Sequence, residues 1–156
     1  MATDDRTAPE DRMAPADRAL CAATASLLHS YAAVAALGLP LSAVALIALA
    51  LTAASLSIVT GAGYGAVVAL GVVERGFWLR LGFDAGLFGD MASGAIESPS
   101  TLDRTLHRLG LRAMPHVPRD LDDRVAGTRR LVRWHALLVV AQCAMMMLAL
   151  TMAAWR

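Results

Sequence analysis

The chain is 156 residues long, 57% hydrophobic and only 17% charged, with a mean hydropathy of +0.54. Soluble domains carry about a quarter charged residues, so a soluble single domain is not expected. With 14 basic and 13 acidic residues the net charge is +1, and nothing in that balance points to a nucleic-acid partner. Asp, Glu, Lys and Arg are absent from 19–73 and again from 134–155, stretches far too apolar for disorder. All basic residues are Arg and none is Lys, while Ala occurs 32 times, which looks like the coding bias of a GC-rich bacterium. The fold expected is all-α, an integral protein of a bacterial inner membrane.

Residues 1–18 combine Pro9 and Pro15 with five acids and three Arg, the composition of a disordered tail. That acidic start also argues against a cleaved signal peptide over 19–35, although Ala33, Val34 and Ala35 would supply the small-residue cleavage pattern. A first span is expected at 19–37. It is weakly hydrophobic and carries Thr24, Ser26, His29 and Ser30, which suits packing against protein, with His29 as a hydrogen-bonding residue between helices. Gly38, Leu39 and Pro40 interrupt the stretch and read as a tight hairpin, because Pro breaks a helix interior.

The second arm, 41–73, would be about 50 Å long as one helix, against a hydrocarbon core of about 30 Å. A kink is therefore expected near 61–65, where Gly61, Gly63 and Gly65 cluster. Gly61 and Gly65 also form a GxxxG, the spacing that lets two helix backbones approach closely. An arm that leaves the membrane near Gly61 would expose the apolar 66–73 to water, so a partner chain or a second copy is expected to cover it.

Residues 74–133 are expected to form a small helical loop region on the cytoplasmic side. Glu74 to Arg80 continue the second helix, with Phe77 and Trp78 at the interface and Arg75 and Arg80 toward the headgroups. Arg80 and Asp84 share a helical face and read as an ordinary surface pair. Ser98 to Gly110 reads as a short capped helix with a Leu102, Leu106, Leu109 stripe. After a loop with Pro115 and Pro118, a further helix starts near Asp120, with Asp122 and Asp123 at its positive end, and runs into the third span, 134–155. Trp134 and Trp155 bracket that span as an aromatic belt. Ten of the Arg residues fall in 74–133 and none in the hairpin. The three spans are accordingly oriented with the N-terminus in and the C-terminus out.

No constellation carries recognisable chemistry. His29 lies roughly 16 Å beyond Arg18, whereas His135 lies roughly 3 Å beyond Arg133, so the two cannot share the depth a haem requires. Met145, Met146 and Met147 fan around a helix rather than converge on an ion; only Cys143 and Met147 share a face. His107 and His116 lack metal-ligand spacing. Neither a cofactor nor a metal is expected. The functional expectation is a non-enzymatic accessory, assembly or regulatory subunit that binds other membrane chains, with Gly61, Gly65 and His29 as helix-packing candidates. The alternative is a channel or transporter component in which Ser26, His29, Ser30 and Gln142 line a path.

Overall fold

A computed structural model describes residues 13–52, 57–111 and 120–155. Five helices follow in order: α1 (Pro15–Ala35), α2 (Gly38–Thr52), α3 (Ile58–Ser93), α4 (Pro99–Arg108) and α5 (Leu121–Ala154). No strand occurs among the described residues. Three segments, Pro15–Thr52, Ile58–Ser93 and Leu121–Ala154, are long and apolar enough to cross a membrane. The chain is therefore a multi-pass membrane protein by the length and composition of its helices.

The path of the chain differs from the sequence expectation in two places. At 38–40 it does not reverse. α1 and α2 follow one another along opposite halves of α3, Cys21 and Leu28 packing in one core with Leu81 and Phe88 while Ala45 packs with Tyr64 and Val67. Backbone bonds from Ala36 N–H to Ala32 C=O and from Leu41 N–H to Leu37 C=O carry the helical path across the joint. Pro40 is the third residue of α2, in the first turn, where a missing N–H removes no hydrogen bond. The Pro therefore marks a helix start inside a bent rod rather than a turn between spans.

The second difference follows from the first. The arm expected at 41–73 is two helices, α2 and the first half of α3, and 61–65 lies unbroken inside α3. Ser57 caps α3, its Oγ accepting from the Thr60 N–H at 3.1 Å. About 1 kcal/mol per helical Gly does not outweigh the packing that α3 gains along its whole length. Residues 66–73 hence lie within the bundle, with Val67 and Gly71 buried, and the argument that they need a cover outside the membrane falls away.

At the start of the chain, α1 begins at Pro15 and Met13 is buried, so the expected tail shortens to residues that lie outside the described ones. At the other end of the same core, α4 starts as expected with the Ser98 Oγ accepting from the Thr101 N–H, and Gly110 adopts a φ of 68°. Asp120 caps α5. The loop residues Pro115 and Pro118 lie outside the described residues.

A seven-residue rhythm sets which side chains are buried. In α3 these include Thr60, Val67, Glu74, Leu81 and Phe88; in α5, Leu121, Thr128, His135, Gln142 and Ala149; in α1, Cys21, Leu28 and Ala35. A strict seven-residue repeat is the seam of a left-handed coiled-coil-like bundle. In α2 the pattern resumes at Gly38 and Ala45, three residues after Ala35, and that short step is absorbed where α1 and α2 meet. α3 runs antiparallel to both neighbours, as the pairs Ser42 with Gly71, Gly63 with Ala149 and Thr128 with Asp84 require.

The bundle has two chemically distinct halves. In the half containing α2, the start of α3 and the end of α5, the described residues 31–52, 57–73 and 134–155 carry no Asp, Glu or Arg. Large apolar side chains there face outward, including Leu46, Leu51, Ile58, Leu137, Val140 and Leu148. The other half holds every described Arg and acid, and α4 closes it, with Leu102 and Leu106 set into the same core as Met13, Phe88 and Leu121.

Candidate functional site

Where the two halves meet, the seam positions are polar. Glu74 on α3 is 1% exposed, and His135 and Gln142 on α5 are fully buried. Their places on the heptad seam turn them inward regardless of polarity, so each must find a partner among the helices.

Gln142 finds three. Its Nε2 lies 3.2 Å from the Gly38 carbonyl, 2.8 Å from the Ser42 hydroxyl and 3.2 Å from the Val67 carbonyl. One amide on α5 thus ties to the start of α2 and to α3 at the level of the α1–α2 bend. Ser42 in turn donates to the Gly38 carbonyl at 3.0 Å. The absence of side chains at Gly38 and Gly71 makes room for this contact: a Cβ at Gly71 would overlap the Ser42 hydroxyl and one at Gly38 would overlap the Glu74 carboxylate.

The second polar group is a chain running through three helices. Tyr31 Oη on α1 lies 2.9 Å from His135 Nδ1 and 3.4 Å from the Val132 carbonyl. His135 Nε2 lies 3.4 Å from Glu74 Oε1, and an Arg75 guanidinium nitrogen lies 3.6 Å from that oxygen. The Tyr31 and His135 rings meet edge to face at 5.5 Å. Arg75 is one-third exposed and stacks over Trp78 with its guanidinium carbon 5.3 Å from the ring centroid. Among the described residues the carboxylate therefore has one buried and one partly solvated basic side chain beside it.

In the charged half, a cavity of about 240 Å³ opens between α3, α4 and α5, its lining including Arg80, Asp84, Phe88, Leu102, Leu106 and Arg124. Arg124 pairs with Asp103 at 2.6 Å, joining α5 to the α4 cap. Asp84 receives Arg80 at 3.5 Å and the Thr128 hydroxyl at 3.4 Å. The expected Arg80–Asp84 pair is present, but Asp84 is 7% exposed and braces α3 against α5 rather than decorating a surface. No group of three or more His, Cys, Asp or Glu among the described residues is placed to hold a metal ion.

The residues singled out from the sequence fare differently. His29 is on the exposed side of α1 and its Nδ1 bonds the Ala25 carbonyl of its own helix at 2.8 Å. It makes no bond between helices, because the seam of α1 runs through Cys21, Leu28 and Ala35 and position 29 falls beside it. Ser26 and Ser30 are exposed on the same helix while Gln142 is sealed inside, so these four do not line one path within the chain. Among the described residues a Cβ at Gly61 or Gly65 would meet nothing within 4 Å; the close approaches inside the bundle are made by Gly38, Gly63 and Gly71 instead. The methionine triplet fans as expected, with Met146 buried and Met147 exposed.

The polar seam is not evident in the sequence, where His135 lies only about 3 Å beyond Arg133, at the entrance of a span. The available signal was the spacing: Thr128, His135 and Gln142 are seven apart on a helix whose other seven-residue positions are apolar. No family model matches the chain, and neither a curated protein nor a solved structure matches it.

Proposed function

We propose that the chain is a non-enzymatic, three-span subunit of a bacterial inner membrane that serves an accessory, assembly or regulatory role through helix contacts with other membrane chains or a second copy. The supporting observation is the division of labour among its polar and small residues. Those inside the bundle, Glu74, His135, Gln142, Gly38 and Gly71, are consumed in holding its own helices together. Gly61 and Gly65, one turn apart on α3, would meet none of the described residues within 4 Å of an added Cβ, which leaves a surface on which another helix would pack closely. After mild solubilisation of native membranes the chain is expected to run in a particle larger than one copy. Gly61→Leu with Gly65→Leu is expected to reduce that particle to monomer size without changing the melting of the bundle. A monomer-sized particle before and after substitution would refute the subunit reading.

In this reading the charged half lies in the cytoplasm, since the Arg residues near the apolar boundary, Arg75, Arg80, Arg129, Arg130 and Arg133, belong to one end only. A reporter active only in the periplasm is expected to be silent when fused after Arg108 and active when fused after Thr52. The reverse pattern would invert the orientation.

A channel or transporter component is the second reading, and the buried Glu74–His135 pair favours it, because ionisable groups inside a spanning bundle often mark ion or proton paths. It predicts that Glu74→Gln abolishes a flux across proteoliposomes. The subunit reading predicts that no such flux exists.

A further inference from the structure

We propose that the outward face of α5 at Arg129, Arg130, Arg133 and Trp134 binds the phosphate headgroups of anionic phospholipids, in the one leaflet that borders the charged half. The proposal rests on the reading that the apolar half spans the bilayer.

All four side chains are exposed, and the three arginines make no ion pair with any described residue. Positions 129 and 133 are four apart, as are 130 and 134, so the four residues cover one contiguous outward surface. That surface continues directly into Leu137 and Val140, which are 58% and 64% exposed. The boundary between charge and hydrocarbon therefore falls at Trp134.

Depth selects the ligand. From Trp134 to Trp155 a helix rises roughly 31 Å, the thickness of a hydrocarbon core. Arg133, Arg130 and Arg129 then lie roughly 1.5, 6 and 7.5 Å beyond its edge. The polar layer of a leaflet is roughly 5–7 Å thick, half the difference between the full bilayer and its core. These helix positions stand at the level of the phosphates, and the planar forks of arginine match phosphate oxygens in pairs.

The surrounding charges do not offset them. Glu74 and Asp84, the acids at comparable height on α3, are buried and face inward. On α5 the nearest exposed acids are Asp123 and Asp122, roughly 9 Å further from the membrane than Arg129. Among the described residues the uncompensated charge at the headgroup level is thus positive. At the opposite end of the bundle the described residues Thr52, Ser57, Ile58 and Trp155 are uncharged, against three exposed arginines at this one.

The test uses the full chain in phosphatidylcholine nanodiscs, with quenching of tryptophan fluorescence by lipids brominated on their acyl chains. Brominated phosphatidylglycerol is expected to compete for the protein surface at least threefold better than brominated phosphatidylcholine. The ratio is expected to fall to about one in R129Q/R130Q/R133Q, and to about one for the unaltered protein in about 1 M salt, where screening acts within roughly 3 Å. The salt arm needs no substitution and carries the test if the triple variant does not insert. A ratio near one for the unaltered protein, or a preference that survives both the substitutions and the salt, overturns the proposal and leaves the membrane reading standing. Absence of quenching by either lipid overturns the membrane reading and the proposal together.

Discussion

Gly71→Ala is expected to destabilise the bundle by about 1–3 kcal/mol, whereas Gly61→Ala and Gly65→Ala are expected to leave it unchanged or stabilise it by up to about 1 kcal/mol. Both effects start from the same propensity term, since Ala is favoured over Gly inside a helix by about 1 kcal/mol. At Gly61 and Gly65 none of the described residues lies within 4 Å of the added methyl, so that term stands alone. At Gly71 the methyl overlaps the Ser42 hydroxyl and comes within 3.0 Å of Gln142 Nε2. Overpacking in a tight core costs about 1–3 kcal/mol. Moving Ser42 also removes the 2.8 Å hydrogen bond that Gln142 makes to it, leaving that amide the Gly38 and Val67 carbonyls, at a further cost of about 1 kcal/mol. Unfolding in detergent followed by far-UV circular dichroism measures both. Equal effects at Gly71 and Gly61 would show that α2 and α3 do not approach as closely as described.

The same residues explain what was legible in the sequence. Helix starts written in local chemistry were readable: Ser98 and Asp120 cap α4 and α5, and each contact lies within three residues of the capping side chain. The number of spans followed from the charge-free stretches and the tryptophans around 134–155. The reversal of the chain was not readable in the same way. Gly38-Leu39-Pro40 is stronger punctuation than Ser57 with Thr60, yet Pro is compatible with a first helical turn, and only packing against α3 decides between a bend and a hairpin. Local spacing likewise could not pair Glu74 with His135, 61 positions away, or Gln142 with Gly38. Those contacts exist because two antiparallel heptad seams meet at one level, and a search for GxxxG alone favours Gly61 and Gly65 over Gly38 and Gly71, where the close approach occurs.

His135→Leu is expected to cost about 3 kcal/mol, and adding Glu74→Met to it is expected to restore most of that loss. Removing the imidazole takes away the one fully buried group beside the Glu74 carboxylate, 3.4 Å from Oε1, and leaves only Arg75 at 3.6 Å, whose side chain is one-third exposed. A buried charge stripped of a partner typically costs about 3–5 kcal/mol, while replacing both members of a buried pair with apolar groups of similar volume is often neutral. The contribution of Arg75 places the single substitution at the lower end of that range. Tyr31 is not orphaned by either change, because its hydroxyl keeps the Val132 carbonyl within 3.4 Å. The double variant therefore strands only the buried Nη2 of Arg75, whose side chain is one-third exposed and free to turn outward. Unfolding free energies for the two single variants and the double variant close a thermodynamic cycle. Strictly additive losses would show that Glu74 and His135 are not coupled, and that the seam is held at this level by Gln142 alone.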